Sequence, residues 1–272
     1  MLLTYDNLKD HIHAKEIKLG KNIEIGENTL IKGPYGPAEY VEIGDNVFLD
    51  KEIFIMTPSL KIGDYSKIYK FTRISGYQPC IIGHNFWCDQ NSILNCTDLL
   101  EIGNNVGIGA YSQLWTHIKF GDVLEGCRFN NTKPMKIEDD VWFVGHCIVS
   151  PITAKKKSMA MVGSVIVKNM EENRIYGGAP AVDMTEKLGP QFVEKSLDDK
   201  FNSMNNLLEQ FLKTEPLAKD FIEIVKFSDE VKSDDKTYFI VSERKYTKRL
   251  NDIEVKFMKF LLPTAKFIPY EK

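Results

Sequence analysis

The chain has 272 residues, is 43% hydrophobic and carries a formal net charge of −3 at pH 7. That suits one large domain, or one domain with an appendage. Mild acidity gives no electrostatic footprint for nucleic acid as a partner. No apolar run approaches the ~18 residues a membrane-crossing helix needs, and the opening "MLLTYDNLKDHIHAKE" is too charged for a signal peptide.

After an N-terminal segment (1–16), six-residue units of the form aliphatic-x-aliphatic-Gly-x-Asn recur: "IKLGKN" at 17, "IEIGEN" at 23, "VEIGDN" at 41, "LKIGDY" at 60 and "LEIGNN" at 100. Aliphatic-Gly pairs begin at Leu19, Ile25, Ile43, Ile62, Ile82, Ile102 and Ile108. From Ile25 the main spacings are 18, 19, 20 and 20 residues, three hexads plus an occasional insertion. Apolar residues two apart face the same side of an extended chain. The Gly-Asp/Glu/Asn-Asn segment supplies residues that tolerate positive φ. Short strand, turn, three times per coil, predicts a β-solenoid whose coils bury their aliphatic columns by stacking.

The period fails at "IKFGDVLEGCRFNNTKP" (118–134) and resumes at "MKIEDD" (135). The next match of Ile102 is Ile137, 35 residues on; without the 17-residue excursion 18 remain. Long loops that leave a rigid scaffold tend to carry function, and His117 stands at the root of this one. Imidazole titrates near neutral pH and suits a general base. His84 and His146 read as turn or cleft residues, and Cys147 as a replacement for a small apolar core residue.

The hexads end after "GGAPAVDM" (177–184), and the solenoid domain is set at 17–188. The remainder, 189–272, reads as a small α/β appendage. It has an amphipathic helix over 191–215, strands at "DFIEIVKF" and "KTYFIVSE", a helix within "YTKRLNDIEVKFMKFLL" and a last strand "AKFIPY". It holds no chemical motif. The five cysteines form no C-x-x-C pair. With no signal peptide, their odd number suggests reduced thiols and a cytoplasmic home.

The stretches "KPMKIEDDVWFVGHCIVSPI" (133–152) and "SMAMVGSVIVKNMEENRIYGGAPA" (158–181) resemble the hexapeptide-repeat acyltransferases, the left-handed β-helix family. Within it they are similar to the maltose, galactoside and xenobiotic acetyltransferase branch. "VW", "GS", "VK" and "GGAPA" fall in that branch's order, over roughly residues 17–184; the appendage is outside the resemblance. The resemblance implies acetyl transfer from acetyl-CoA to a hydroxyl or amine. It implies a homotrimer with sites in the clefts between solenoids, and a left-handed coil against the usual right-handed crossover rule.

Carried over by residue, the resemblance makes His117 the catalytic base. Trp142 walls the pantetheine arm; Gly145, Ala160 and Gly163 line it with backbone; Lys168 meets a CoA phosphate. The family often has an Arg where this chain has Asp183, a role left to Arg174 or to the lysines at 155–157. On the acceptor side, Asp89 falls where the branch contacts its sugar through an Asn, and Glu125 and Arg128 on the excursion are within conceivable reach of the acceptor. The acceptor class implied is a sugar or nucleotide-linked sugar, with O- and N-acylation both open. Two rival functions share the scaffold. A γ-type carbonic anhydrase needs three zinc-binding histidines, two of them close on one coil, and "IKFGD" after His117 offers none. A catalytically inactive scaffold would bind no CoA.

Overall fold

A computed structural model describes residues 1–4 and 7–270. The chain divides into two compact units, Met1–Phe192 and Val193–Lys272.

The first unit is mostly parallel β. Its strands alternate among three faces, so every third strand in chain order is a spatial neighbour. The first face stacks Ala14–Leu19, Ala38–Ile43, Ser59–Ile62, Cys80–Ile82, Leu100–Ile102, Met135–Ile137 and Thr153–Ala154. The second begins at Glu24–Ile25 and includes Phe48–Leu49, Lys67–Ile68, Trp87–Cys88, Gly107–Ile108, Trp142–Phe143 and Met159–Ala160. The third runs from Leu30–Lys32 through Phe54–Met56, Arg73–Gly76, Ile93–Cys96, Gln113–Leu114 and Ile148–Val149 to Val165–Ile166. Each coil thus supplies one strand to each face and rises by about 4.8 Å. Aliphatic columns such as Ile31, Ile55, Ile74, Leu94, Leu114, Val149 and Ile166 fill the interior.

Two of the three corners turn on a left-handed residue; the first mostly uses the Asn or Asp read from the hexads, whereas the second also places Glu52, Phe71, Tyr111 and His146 there. After the first face the chain turns on a positive-φ residue at Asn22, Asn46, Tyr65, Asn85, Asn105, Asp140, Lys157 and Asn173; after the second it does so at Asn28, Glu52, Phe71, Asn91, Tyr111 and His146, with Gly163 in the last coil. At the first corner, side chains also tie coil to coil. Asp64 Oδ1 accepts from the Asp45 amide (2.8 Å), Asn104 Oδ1 from that of His84 (2.9 Å) and Asp139 Oδ1 from that of Asn104 (2.6 Å). His84 fills one rung of this ladder, its Nδ1 accepting from the Asp64 amide at 2.9 Å.

The third corner is built differently. It carries Pro37, Pro58, Pro79, Pro134 and Pro151, whose missing N–H suits a break between strands. Its length varies from coil to coil, so this is where the chain can leave the solenoid. The excursion does so as an antiparallel hairpin, His117–Lys119 against Asn130–Thr132, with His117 opposite Thr132. The coil then closes over the insertion, Leu100, Glu101 and Ile102 pairing with Met135, Lys136 and Ile137. The sequence showed the excursion but not its hairpin, because Asn130, Asn131 and Thr132 are all exposed and carry no apolar alternation.

The second unit is a four-stranded mixed sheet, Ile222–Val225, Thr237–Ile240, Lys245–Tyr246 and Ile268–Pro269, with helices Leu197–Leu212 and Asp252–Leu261. The first helix starts six residues after the predicted 191, where Ser196 caps it by accepting from the Asp199 amide. The second starts at Asp252 because Asn251 caps it, and the residues before it make the short strand Lys245–Tyr246. Phe239 packs against Tyr246, Phe257 and Phe267 at 5.1–5.6 Å. The buried Glu254 carboxylate accepts from the Thr237 hydroxyl and from the Arg249 and Leu250 amides.

All five cysteines are free thiols, and four are buried. Burial pushes Cys88 up to about 12, Cys96 to about 11 and Cys80 well above the usual range. Cys127, on the excursion, is partly exposed. A disulfide-exchange reagent should therefore titrate one thiol in the native chain and the other four only after denaturant is added. Two or more fast thiols in the native state would contradict the buried placement.

Candidate active site

His117 is held by a buried amide from the coil beneath it. Asn95, on the third face, lies one coil before His117. Its Nδ2 donates to the Ser75 carbonyl (3.2 Å), and its Oδ1 accepts from the Thr116 hydroxyl (2.7 Å) and the Thr97 amide (3.1 Å). Those partners fix which end of the amide is oxygen. The same Oδ1 lies 3.0 Å from His117 Nδ1. An amide oxygen only accepts, so Nδ1 carries the proton and Nε2 remains as the basic nitrogen. Asn95 and Thr116 are buried while His117 is half-buried, so part of it is accessible to a reactant. Trp115 packs edge-on against the ring at 5.8 Å and is itself tied to Gln113 Oε1 through Nε1 (3.2 Å). Asn95 has no counterpart in the sequence reading. It sits inside an ordinary hexad, and its role depends on a residue 22 positions later.

The residues read as cofactor-binding lie elsewhere on the solenoid. Trp142 projects from the second face, 42% exposed. Its indole lies over Gly107 of the coil before, where a Cβ would come within 3.1 Å of Trp142 Cδ1. Gly145 and Gly163 turn the second corner at φ 149° and 71°. The Gly163 amide is committed to the Gly145 carbonyl (2.9 Å), so what Gly163 presents is room rather than a donor. Ala160 points its methyl into the core, and its carbonyl accepts from the Val144 amide (3.0 Å). Lys168 is exposed at the third corner of the last coil. Arg174 pairs with Asp183 (3.6 Å). The Thr185 hydroxyl and amide, with Arg174 adding to them, hold the Asp183 carboxyl below the usual carboxylate range. The Asp that stands where the family often has an Arg therefore also draws on its nearest substitute.

Asp89 is half-buried at the second corner, and its Oδ1 accepts from the Gln90 amide (2.8 Å). Its other oxygen is the one available to a ligand. Glu125 and Arg128 are exposed near the tip of the excursion, among the exposed side chains of Phe120, Leu124 and Phe129. One chain therefore does not gather the predicted residues at one place. His117 and Lys168 are on the third corner, Trp142 and Ala160 on the second face, Asp89, Gly145 and Gly163 on the second corner.

The other histidines are dispersed. His11 Nδ1 bonds to the Thr29 carbonyl, His13 Nε2 to the Lys9 carbonyl, and the His146 ring stacks on Tyr111 at 5.0 Å. Among the described residues, no group of three His, Cys, Asp or Glu side chains is placed to hold a metal ion. No helix among them is long and apolar enough to cross a membrane.

No family model matches the chain. Solved structures that resemble it include a maltose O-acetyltransferase from Clostridium difficile, 20% identical over 65% of this chain and 71% of that one, with a TM-score of 0.34. A galactoside acetyltransferase in complex with coenzyme A is 16% identical over 58% and 71%, TM-score 0.34. An N-acyltransferase from Bacillus cereus in complex with dTDP and 3-hydroxybutyryl-CoA is 17% identical over 79% and 98%, TM-score 0.40.

Proposed function

We propose that the chain is an acyl-CoA-dependent acyltransferase of the hexapeptide-repeat kind, with a left-handed coil, moving acetyl from acetyl-CoA to a hydroxyl or amine of a sugar or nucleotide-linked sugar. The observation that carries the reading is His117, whose Nδ1 is committed to a buried amide oxygen and whose Nε2 is thereby set up as a base. A wall for an acyl-CoA arm is supported by the exposed Trp142 over a glycine and by the side-chain-free turns at Gly145 and Gly163. Lys168 would meet a phosphate there. Arg174 contributes less than its charge suggests, because Asp183 shares it.

When bound, acetyl-CoA supplies a thioester carbonyl for attack. His117 Nε2 takes the proton of the attacking hydroxyl or amine, the C–S bond of the tetrahedral adduct then breaks, and the imidazolium returns the proton to the departing CoA thiolate, while Asn95 keeps the ring in the tautomer that can do so. A backbone N–H along the arm other than that of Gly163, which is already committed to the Gly145 carbonyl, stabilises the oxyanion. Asp89 uses its free oxygen to orient the acceptor, and Glu125 and Arg128 approach it from the excursion.

A split between a corner and a different face calls for a second copy of the chain. We propose a homotrimer, the assembly the sequence resemblance implies, in which the third corner of one copy meets the second face of the next. Four buried thiols fit a reducing, cytoplasmic setting.

Calorimetric titration with acetyl-CoA tests the reading. The expected result is micromolar binding, weakened roughly tenfold by Trp142→Ala through loss of an aromatic wall. No binding to the native chain would reject the acyltransferase reading in favour of an inactive scaffold.

A further inference from the structure

The second face carries an aromatic strip that the chemistry at His117 does not use. Two coils share an aromatic-x-Asp pattern, Phe48-Leu49-Asp50 and Trp87-Cys88-Asp89, with the middle residue buried in each. Tyr69 stands in the coil between, its ring 5.8 Å from Phe48 and 6.1 Å from Trp87. The three rings form one apolar strip across two coil rises, about 10 Å. A shallow depression lined by Met1, Ile25, Phe48, Asp50 and Lys51 continues it toward the N-terminal end. Its other end meets Gly107, in the coil of His117, whose side-chain-free backbone is covered by the Trp142 indole from the next coil.

A second aromatic element lies on the edge that bears His117. Tyr35 and Tyr77, both at third corners, stack at 6.0 Å and 23° while 91% and 53% exposed. They lie in the first and third coils, at levels that overlap those of Phe48 and Tyr69. In an assembly that sets third corner against second face, both walls of the cleft below the reacting level are aromatic.

The chemistry of this strip selects among ligands. Sugar rings present apolar C–H faces, which lie on aromatic faces, and a rim of hydroxyls, which carboxylates accept from. A ring beside a carboxylate, repeated two coils on, fits a ligand that also repeats. Along the strip and its depression Glu27, Asp50 and Asp89 stand against Lys51, Lys67 and Lys70, so there is no cationic excess to favour a polyphosphate.

We propose that the acceptor is an oligosaccharide. Its reacting end sits beside His117, and its remote rings lie along Trp87, Tyr69 and Phe48 and against the Tyr35–Tyr77 pair. The inference deepens the acyltransferase reading and rests on it for the identity of the reacting end.

The test is a tryptophan-fluorescence titration of the full chain with glucose, galactose and N-acetylglucosamine oligomers of increasing length. In at least one series, affinity should rise roughly tenfold or more from one ring to three. The ratio of trimer to monomer affinity should fall toward one in Tyr69→Ala and drop in Tyr77→Ala, with the size of the assembly unchanged by light scattering. Affinity independent of length in every series would overturn the proposal. So would tighter binding of a nucleoside diphosphate sugar than of the corresponding oligomer, or a change of assembly in Tyr69→Ala, which would make the ring an interface residue. Thiol release from acetyl-CoA is followed separately. Length-dependent binding without thiol release would leave a glycan-binding strip and remove the acyltransferase reading, whereas thiol release without length dependence would do the reverse.

Discussion

Replacing His117 by alanine should lower turnover by about 10²–10⁴-fold, the range a positioned general base contributes, without unfolding the chain. The structural loss is small. Asn95 Oδ1 keeps the Thr116 hydroxyl and the Thr97 amide as donors when the imidazole is gone, so no buried acceptor is orphaned. The hairpin that begins at His117 is held by backbone pairing with Thr132, which alanine preserves. Melting temperature and acetyl-CoA affinity should therefore stay near those of the native chain while the rate of thiol release in the presence of acceptor collapses. Turnover within a factor of a few of the native rate would remove His117 from the chemistry. A parallel fall in melting temperature and turnover would make it a structural residue of the corner.

The solenoid was legible in the sequence because the same physical problem recurs in each coil. An aliphatic must point inward at Ile25, Leu49 and Ile68, and a residue tolerant of positive φ recurs at Asn22, Asn46, Asn85 and Asn105. Periodicity exposes such repeated solutions even where one position departs, as His84 does in the ladder of Asp and Asn side chains. The third corner was less legible. Proline and variable length serve there in place of a fixed turn residue, and the excursion pairs polar strands that leave no alternation to read. His117 could be singled out as a candidate because an interruption marks it. Its partner could not, because the bond from Asn95 to His117 joins two coils through a contact 22 residues apart in sequence. The echo between "FLD" and "WCD" was present in the sequence, but it gains meaning only when Tyr69 is seen to bridge the two rings.

Asn95→Ala should reach the active site and the corner together, and the two effects can be separated. Removing the amide takes the acceptor from the Thr116 hydroxyl and the Thr97 amide, and takes the donor that satisfies the Ser75 carbonyl. The buried Thr116 hydroxyl left without its acceptor costs about 1–3 kcal/mol, the partly exposed Thr97 amide and Ser75 carbonyl less, so a lower denaturant midpoint is expected. Independently, the imidazole loses the acceptor that selects its tautomer and orientation, and misplacement on the scale of ~1 Å costs about 10²-fold in rate. Asn95→Asp separates the two roles. A carboxylate still accepts from His117 Nδ1–H and so retains more turnover than alanine. It cannot donate to the Ser75 carbonyl, so stability still falls. A negative charge beside the ring also favours the imidazolium form. The reaction needs the neutral ring, so the acidic limb of the pH–rate profile should move to higher pH in Asn95→Asp. A purely structural Asn95 would lower stability in both variants and leave that limb where it was, so the position of the limb decides whether Asn95 positions the base or only closes the corner.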